Sequence, residues 1–314
     1  MTRVPSYQKI DYSLRPAKAI ERKMMVDALR RLDRMVALKH YRYVGFGSPY
    51  FTDFSLFHKA LDLTALVSIE REIEDEDRFR FNVPYAAIEL RFGESTDVLP
   101  EIDWQQRSIV WLDYDEKLSA DKLTDVAYLS RELQPGSVLI VTVNVHPHSD
   151  LETRLERTRE DLGPRLPRRY SAEELGGWGT ASAARDVISE EIEVALAERN
   201  TGKPESTRVG YRQLFNFNYR DGARMLTVGG VFFDAGIDAH IDGCGFSDFD
   251  FFRDGADPYE IVVPRLTLKE MRHLDTLLPA MPLAVADGVG LSQADVETYA
   301  RVYRYFPRFA DIDS

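Results

Sequence analysis

The residues best suited to chemistry fall in a few short stretches. Gly45, Phe46, Gly47 and Ser48 form a glycine turn between an aromatic, β-branched flank and an amphipathic one. Glycines there let the backbone take positive φ and let a ligand approach without meeting a Cβ. "SIE" sets Glu70 at the end of an apolar run, and Gly93, Glu94 and Ser95 make a second small turn. "WLDYDEKL" places Asp113 and Asp115 two apart at the end of a buried run. Such carboxylates can orient a nucleophile or take its proton, hold Mg²⁺ through oxygen, or simply cap the next helix. In "NVHPHSD", His146 and His148 offer bases near neutral pH, or surface loop residues.

The elements that must position these groups follow from periodicity. Ala17, Ile20, Met24, Met25, Ala28, Leu29 and Leu32 recur at helical spacing and predict an amphipathic helix over 15–35. After "RYVGFGS" and its helix come "ALVSIE" (65–70), a charged helix (71–81), "AAIELRFGES" (86–95), "SIVWLDYDE" (108–116), a helix (119–133) and "VLIVTVNV" (138–145). Short apolar strands alternating with helices predict an α/β fold, with a parallel sheet covered on both faces. Residues 146–205 are polar and helix-rich, too long for a plain crossover, and predict an insertion or lid over the site. "YRQLFNFNY" (211–219) and "ARMLTVGGVFFD" (223–234), joined by "RDG", predict a closing β-hairpin. "LTLKEMRHLDTLLP" and "LSQADVETYARVYRYF" predict two further helices. The expected organisation is a helical lead-in (1–40), a main body (41–240) carrying the 146–205 insertion, and a helical extension (241–314) packed on that body.

Three nucleotide classes compete for the turn at Gly45. A dinucleotide fold wants a third glycine where Tyr50 stands. A phosphate loop needs a Gly-Lys-Ser/Thr ending, which is absent. A ligand without phosphates remains. The order of elements resembles class I S-adenosylmethionine-dependent methyltransferases, a Rossmann-like fold of seven mostly parallel strands closed by an antiparallel hairpin. "SLRPAKAIERKM" ahead of the glycine strand is similar to bacterial proteins labelled O-methyltransferases. The resemblance implies a first strand ending in Gly45, Phe46, Gly47 and Ser48, with Glu70 holding the ribose hydroxyls. It implies Glu94 and Ser95 beside the adenine, and Asp113 at the reaction centre. It further implies S-adenosylmethionine as cofactor and S-adenosylhomocysteine as its product; Asp113 and Asp115, beside the implied site of transfer, and His146, in the loop leaving the fifth strand, are the catalytic candidates. Tyr43 stands where the family usually has an acid, and Pro49 where a third glycine is common. Lys18 and Arg15 on the leading helix then become candidates for the methionine carboxylate, through a charge-assisted contact. "DYDEK" is similar to the acid-x-acid-Lys motif of cation-dependent O-methyltransferases, but Val143-Asn144 replaces their Asp-Asn pair, so no metal site is expected.

Composition bounds the partners. One cysteine, Cys244, permits neither an internal disulfide nor a CxxC metal site. No apolar run is long enough to span a membrane, and the start of the chain lacks a signal-like apolar segment, which reads as cytoplasmic. A net charge of −12 opposes broad nucleic-acid binding, although 15–34 and 154–169 are locally basic. The expected acceptor is a small molecule or a nucleotide-like compound, and a homo-oligomer or protein partner is compatible with the sequence. The alternatives are a methyltransferase fold that has lost catalysis and serves as a ligand-sensing or partner-binding subunit, and, third, a nucleic-acid-modifying enzyme.

Overall fold

The computed structural model describes residues 15–280, 283 and 290–307. Residues 1–14 of the expected lead-in, and 281–282, 284–289 and 308–314 of the expected extension, lie outside the described residues. Five strands come first and run parallel: β1 (Arg42–Phe46), β2 (Ala65–Glu70), β3 (Ile88–Phe92), β4 (Ser108–Lys117) and β5 (Val138–Asn144). The hairpin expected at "RDG" is β6 (Gly210–Asp221) and β7 (Ala223–Phe233), with β7 antiparallel to β5. A further strand, β8 (Tyr259–Ile261), pairs parallel with β6. The sheet order is β3-β2-β1-β4-β5-β7-β6-β8, so among the described residues the sheet has eight strands where seven were expected. The extra strand has three residues, too few for alternation to declare it in the sequence.

The pleat sorts the core into two layers. Along β4, Ile109 and Trp111 join one apolar cluster, while Val110, Leu112 and Tyr114 join the other. The first layer is covered by α1 (Pro16–Arg30) and α2 (Thr52–Leu61), together with Phe79 of α3 (Glu76–Asn82). The second holds Val98 of α4 (Ser95–Val98) and the apolar faces of α5 (Ala120–Glu132) and α7 (Gly179–Arg199). Fully burying a side chain such as Leu112 or Ile140 contributes about 1.5–3 kcal/mol.

Two local solutions fix the elements around the site. Pro16 opens α1 at a position where a missing N–H costs nothing. The residue preceding the helix gives no side-chain cap; instead Asp221, at the hairpin turn, accepts from the N–H groups of Ala17 (3.2 Å) and Lys18 (2.9 Å). The "RDG" turn therefore tethers the leading helix to the far end of the sheet. The second concerns 146–205, which holds α6 (Leu151–Leu162) and α7. Ala181, Ala184, Val187, Ile188, Ile192 and Leu196 bury one face of α7 against α5, β6 and β7. α7 thus covers the sheet between β5 and β6. Beyond the hairpin, α8 (Ala235–Cys244) is capped by Asp234, and α9 (Leu268–Leu277) and α10 (Gln293–Val302) form a small apolar cluster of their own.

Candidate active site

The carboxyl ends of β1, β2, β3 and β4 open into a cavity of about 390 Å³, the place where open α/β sheets bind ligands. Each strand contributes its last residues: Phe46, Gly47 and Ser48 after β1, Glu70 on β2, the Gly93–Ser95 turn after β3, and Asp113 to Glu116 on β4. A bulge aims the β4 group. Asp113 pairs with Thr142 and Lys117 with Asn144, so β4 carries two more residues than β5 over that interval.

Glu70 is folded onto the glycine turn. Its Oε1 accepts from the Ser68 hydroxyl at 2.6 Å, and the carboxylate also takes the Gly47 backbone N–H. A Cβ on Gly47 would stand 2.1 Å from Glu70 Oε1 and 2.3 Å from Ser68 Oγ. Only glycine fits this position while the carboxylate stays there. Burial pushes the Glu70 carboxyl up to about 8, with the Ser68 and Gly47 donors working in the other direction. Further donors in the cavity would favour its charged form.

Gly45 has a different reason to be glycine. It does not line the cavity; its missing Cβ leaves room for the Tyr43 hydroxyl, which would lie 2.6 Å away. Tyr43 packs edge-on against Phe54 (4.9 Å) and Phe57 (4.8 Å). Burial, then the charges of Asp53 and Asp113, push its phenol well above 10, so the ring stays neutral. The expected acid of the family is thus replaced by an aromatic plug.

A cation and an acid stand nearby instead. Arg22, one helical turn beyond Lys18, is 5% exposed and lines the cavity. Its Nε donates to Asp53 at the start of α2. Its two terminal nitrogens make no hydrogen bond to the described residues. The start of α2 adds to this. Phe51 precedes it in a left-handed conformation (φ 45°), no side chain caps the helix, and Thr52, Asp53 and Phe54 all line the cavity. Free donors on a buried guanidinium, beside an uncapped helix N-terminus, suit a carboxylate.

A further polar group in the lining centres on Asp125, with Lys122 nearby over the Tyr114 ring at 5.3 Å. Ser95 and Tyr114 donate to the same oxygen of Asp125, at 2.5 and 2.6 Å. Burial raises the Asp125 carboxyl, against those two hydrogen bonds. Its other oxygen accepts from neither. Phe46 and Tyr114, 5.0 Å apart, supply apolar faces to the lining.

The structure brings together Phe46, Gly47, Ser48, Glu70, Glu94, Ser95, Asp113 and Asp115 around one cavity. It does not bring Gly45, Lys18, Arg15 or His146 to its lining. Lys18 lies behind the wall and donates to Asp113 at 2.8 Å. Arg15 is buried at the start of α1. His146 is exposed after β5, its N–H bonded to Asn144, while His148 Nε2 lies 2.9 Å from Asp161 of α6. No residue of 146–205 lines the cavity. Among the described residues, no three His, Cys, Asp or Glu side chains converge as a metal site. Arg22, Asp53, Tyr114 and Asp125 were missed by sequence reasoning; for Arg22 a signal existed, since it shares a helix face with Lys18.

The sequence model of the family described as "Putative O-methyltransferase" matches residues 10–314. No curated protein matches the chain. Among solved structures, the O-methyltransferase TomG of Streptomyces achromogenes, in complex with S-adenosylmethionine, is similar at 18% identity and a TM-score of 0.37, over 66% of this chain and 78% of that one. Trm1 of Pyrococcus horikoshii, also in complex with S-adenosylmethionine, is similar at 11% identity and a TM-score of 0.46, over 74% of this chain and 59% of that one.

Proposed function

We propose, because this chain belongs to the family described as "Putative O-methyltransferase", that the cavity on β1–β4 binds S-adenosylmethionine and delivers its methyl group to an oxygen of a small-molecule acceptor. The cofactor supplies an activated methyl on a sulfonium; the protein has to align the acceptor and exclude water. We assign Glu70 to the ribose hydroxyls, Ser95 and Asp125 to the adenine, and Phe46 and Tyr114 to its faces. Arg22 and the start of α2 take the methionine carboxylate, and Asp53 the ammonium. Asp113, held by Lys18, faces the acceptor and receives its proton. Asp115 and His146, exposed at the same end of the sheet, are left to orient the acceptor.

The observation that carries this reading is the fit between Glu70 and Gly47. A carboxylate is held at a strand end by a glycine with no room for a Cβ, and it opens onto a cavity rimmed by the turns that the family uses. A carboxylate there can accept from two vicinal hydroxyls at once.

The lining also favours a small acceptor over nucleic acid. Among the described residues, nine acidic side chains and three basic ones line the cavity, a balance that repels a phosphate backbone and suits a cationic sulfonium. Among the described residues no helix is long and apolar enough to cross a membrane, which accords with a cytoplasmic enzyme. We read 41–240 as the catalytic body, with the lead-in completing the site through α1 and 241–314 buttressing it.

Calorimetric titration with S-adenosylmethionine and S-adenosylhomocysteine tests the proposal. Micromolar binding of both, lost in Glu70→Ala, is expected. A folded wild-type protein that binds neither would overturn it.

A further inference from the structure

Behind Asp113 lies a sealed set of charges that ligand binding alone does not require. Glu21 is 0% exposed and Lys18 is 1% exposed. The Lys18 ammonium lies 2.9 Å from Glu21 and 2.8 Å from Asp113, and only Asp113 reaches the cavity. The same ammonium sits 4.3 Å from the Trp111 ring centroid and donates to the Tyr219 hydroxyl at 3.2 Å. Trp111 donates in turn to Thr142 (2.9 Å), and Thr142 and Thr227 share a 2.6 Å hydrogen bond, while neither buried Glu21 oxygen has a hydrogen-bond partner among the described residues.

The charges inside do not balance. Two carboxylates face one ammonium, and Arg22, whose charge also acts on Glu21 and Asp113, is itself paired with Asp53. An excess negative charge in a dry site is costly, and a proton on one carboxylate removes it. Asp113 can be compensated from the cavity, whereas Glu21 cannot. Burial, and secondarily the Asp113 charge, raise the Glu21 carboxyl against the pull of Lys18. Tyr219 on β6 and Tyr43 on β1, the other titratable groups packed against this set, are both held protonated far above neutrality. Arg15 and Arg22 on α1 keep their charge throughout this range.

We propose that Glu21 is a proton store coupled through Lys18 to Asp113, which releases its proton when a positive charge enters the cavity beside Asp113 and regains one when that charge is lost. Lys18 passes one N–H proton to Asp113 and takes the Glu21 proton in its place, so its own charge is unchanged. The proton then leaves Asp113 through the cavity. The inference rests on the S-adenosylmethionine reading, because the sulfonium is the positive charge and S-adenosylhomocysteine lacks it. Its consequence is charge constancy. As the sulfonium becomes a neutral thioether, the acceptor's proton travels the reverse route to Glu21 and stays inside. Glu21 touches neither cofactor nor acceptor and is a positioning residue acting through Lys18.

Proton-linked calorimetry tests this without knowledge of the acceptor. The wild-type protein is titrated with S-adenosylmethionine and with S-adenosylhomocysteine near neutral pH, in buffers of different protonation enthalpy. The adenosine half is common to both ligands, so any proton exchanged at Glu70 cancels. The sulfonium ligand is expected to release roughly half to one proton more than the thioether. Glu21→Gln, an isosteric neutral replacement, is expected to bind both ligands and abolish that difference. Infrared difference spectra of the wild type and of Glu21→Gln give a second readout: beyond any change at Glu70 common to both ligands, a protonated-carboxyl band is lost with S-adenosylmethionine, kept with S-adenosylhomocysteine and absent from the variant. Equal proton release by the two ligands, a difference that survives in Glu21→Gln, or a band unchanged by both ligands overturns the proton store while leaving the cofactor site standing. A protein that binds neither ligand overturns the cofactor reading and this inference with it.

Discussion

Replacing Glu70 by glutamine should stabilise the ligand-free protein, and increasingly so as pH rises. In the unfolded chain this carboxyl ionises near 4.5, whereas burial holds it near 8 in the folded one. At pH values below about 4.5 both states keep the proton and the group is neutral in each. Between there and about 8 the unfolded chain releases its proton and the folded chain retains it, so stability falls with rising pH. At about 1.36 kcal/mol per pH unit the loss reaches roughly 5 kcal/mol by the upper end of that window, as an upper limit. Glutamine stays neutral, and its amide oxygen can still accept from Ser68 and Gly47. Urea unfolding of both proteins at each pH from 5 to 9 measures the effect, and taking the difference between them removes every other titrating group. A gap that widens by about 2–4 kcal/mol between the acid and alkaline ends is expected. Parallel stability curves would refute the reasoning, because they would mean that Glu70 ionises as easily folded as unfolded.

Two other perturbations probe the same cavity. Gly47→Ala puts a methyl within 2.1 Å of Glu70 Oε1; it should cost about 1–3 kcal/mol of stability by overpacking. It should also weaken S-adenosylhomocysteine about 10-fold or more by displacing the carboxylate, a charged hydrogen bond being worth about 1.5–3 kcal/mol. Urea unfolding and calorimetry read the two effects, and wild-type affinity in this variant would contradict the cradle. Arg22→Gln leaves Asp53 buried without its cation and should cost about 3–5 kcal/mol of stability. The informative comparison is between ligands: the variant should lose S-adenosylhomocysteine affinity yet keep that for 5′-methylthioadenosine, which lacks the amino-acid end. Equal losses for both would remove Arg22 from the carboxylate role.

Much of the fold is legible in the sequence because its signals are local. Runs such as "VLIVTVNV" can only be strands buried on both faces, and "RDG" between two β-rich runs is a hairpin. The eighth strand is not legible: three residues at an edge carry no period, and pairing with β6 decides their state. Nor is the role of α7, since a long polar-faced helix reads alike whether it covers a sheet or a site. At the site, Glu70 and Asp113 are readable because a carboxylate ending an apolar run is conspicuous. Arg22 is hidden among the other charges of α1, where Lys18, Glu21 and Arg22 all turn inward although charged helix residues usually face water. Gly45 illustrates the reverse case. Its place in the glycine turn points to a ligand, while the Tyr43 side chain two residues back on the same strand takes the space its Cβ would fill.

The central claim is that Glu70, seated on Gly47, is the ribose-binding group of an S-adenosylmethionine site. A crystal structure of the protein with S-adenosylhomocysteine tests it most directly. The account predicts the ligand in the cavity at the carboxyl ends of β1–β4, with both ribose hydroxyls on the Glu70 carboxylate and the amino-acid carboxylate on Arg22. A ligand bound elsewhere, or bound there with Glu70 still turned away from the ribose, would contradict it.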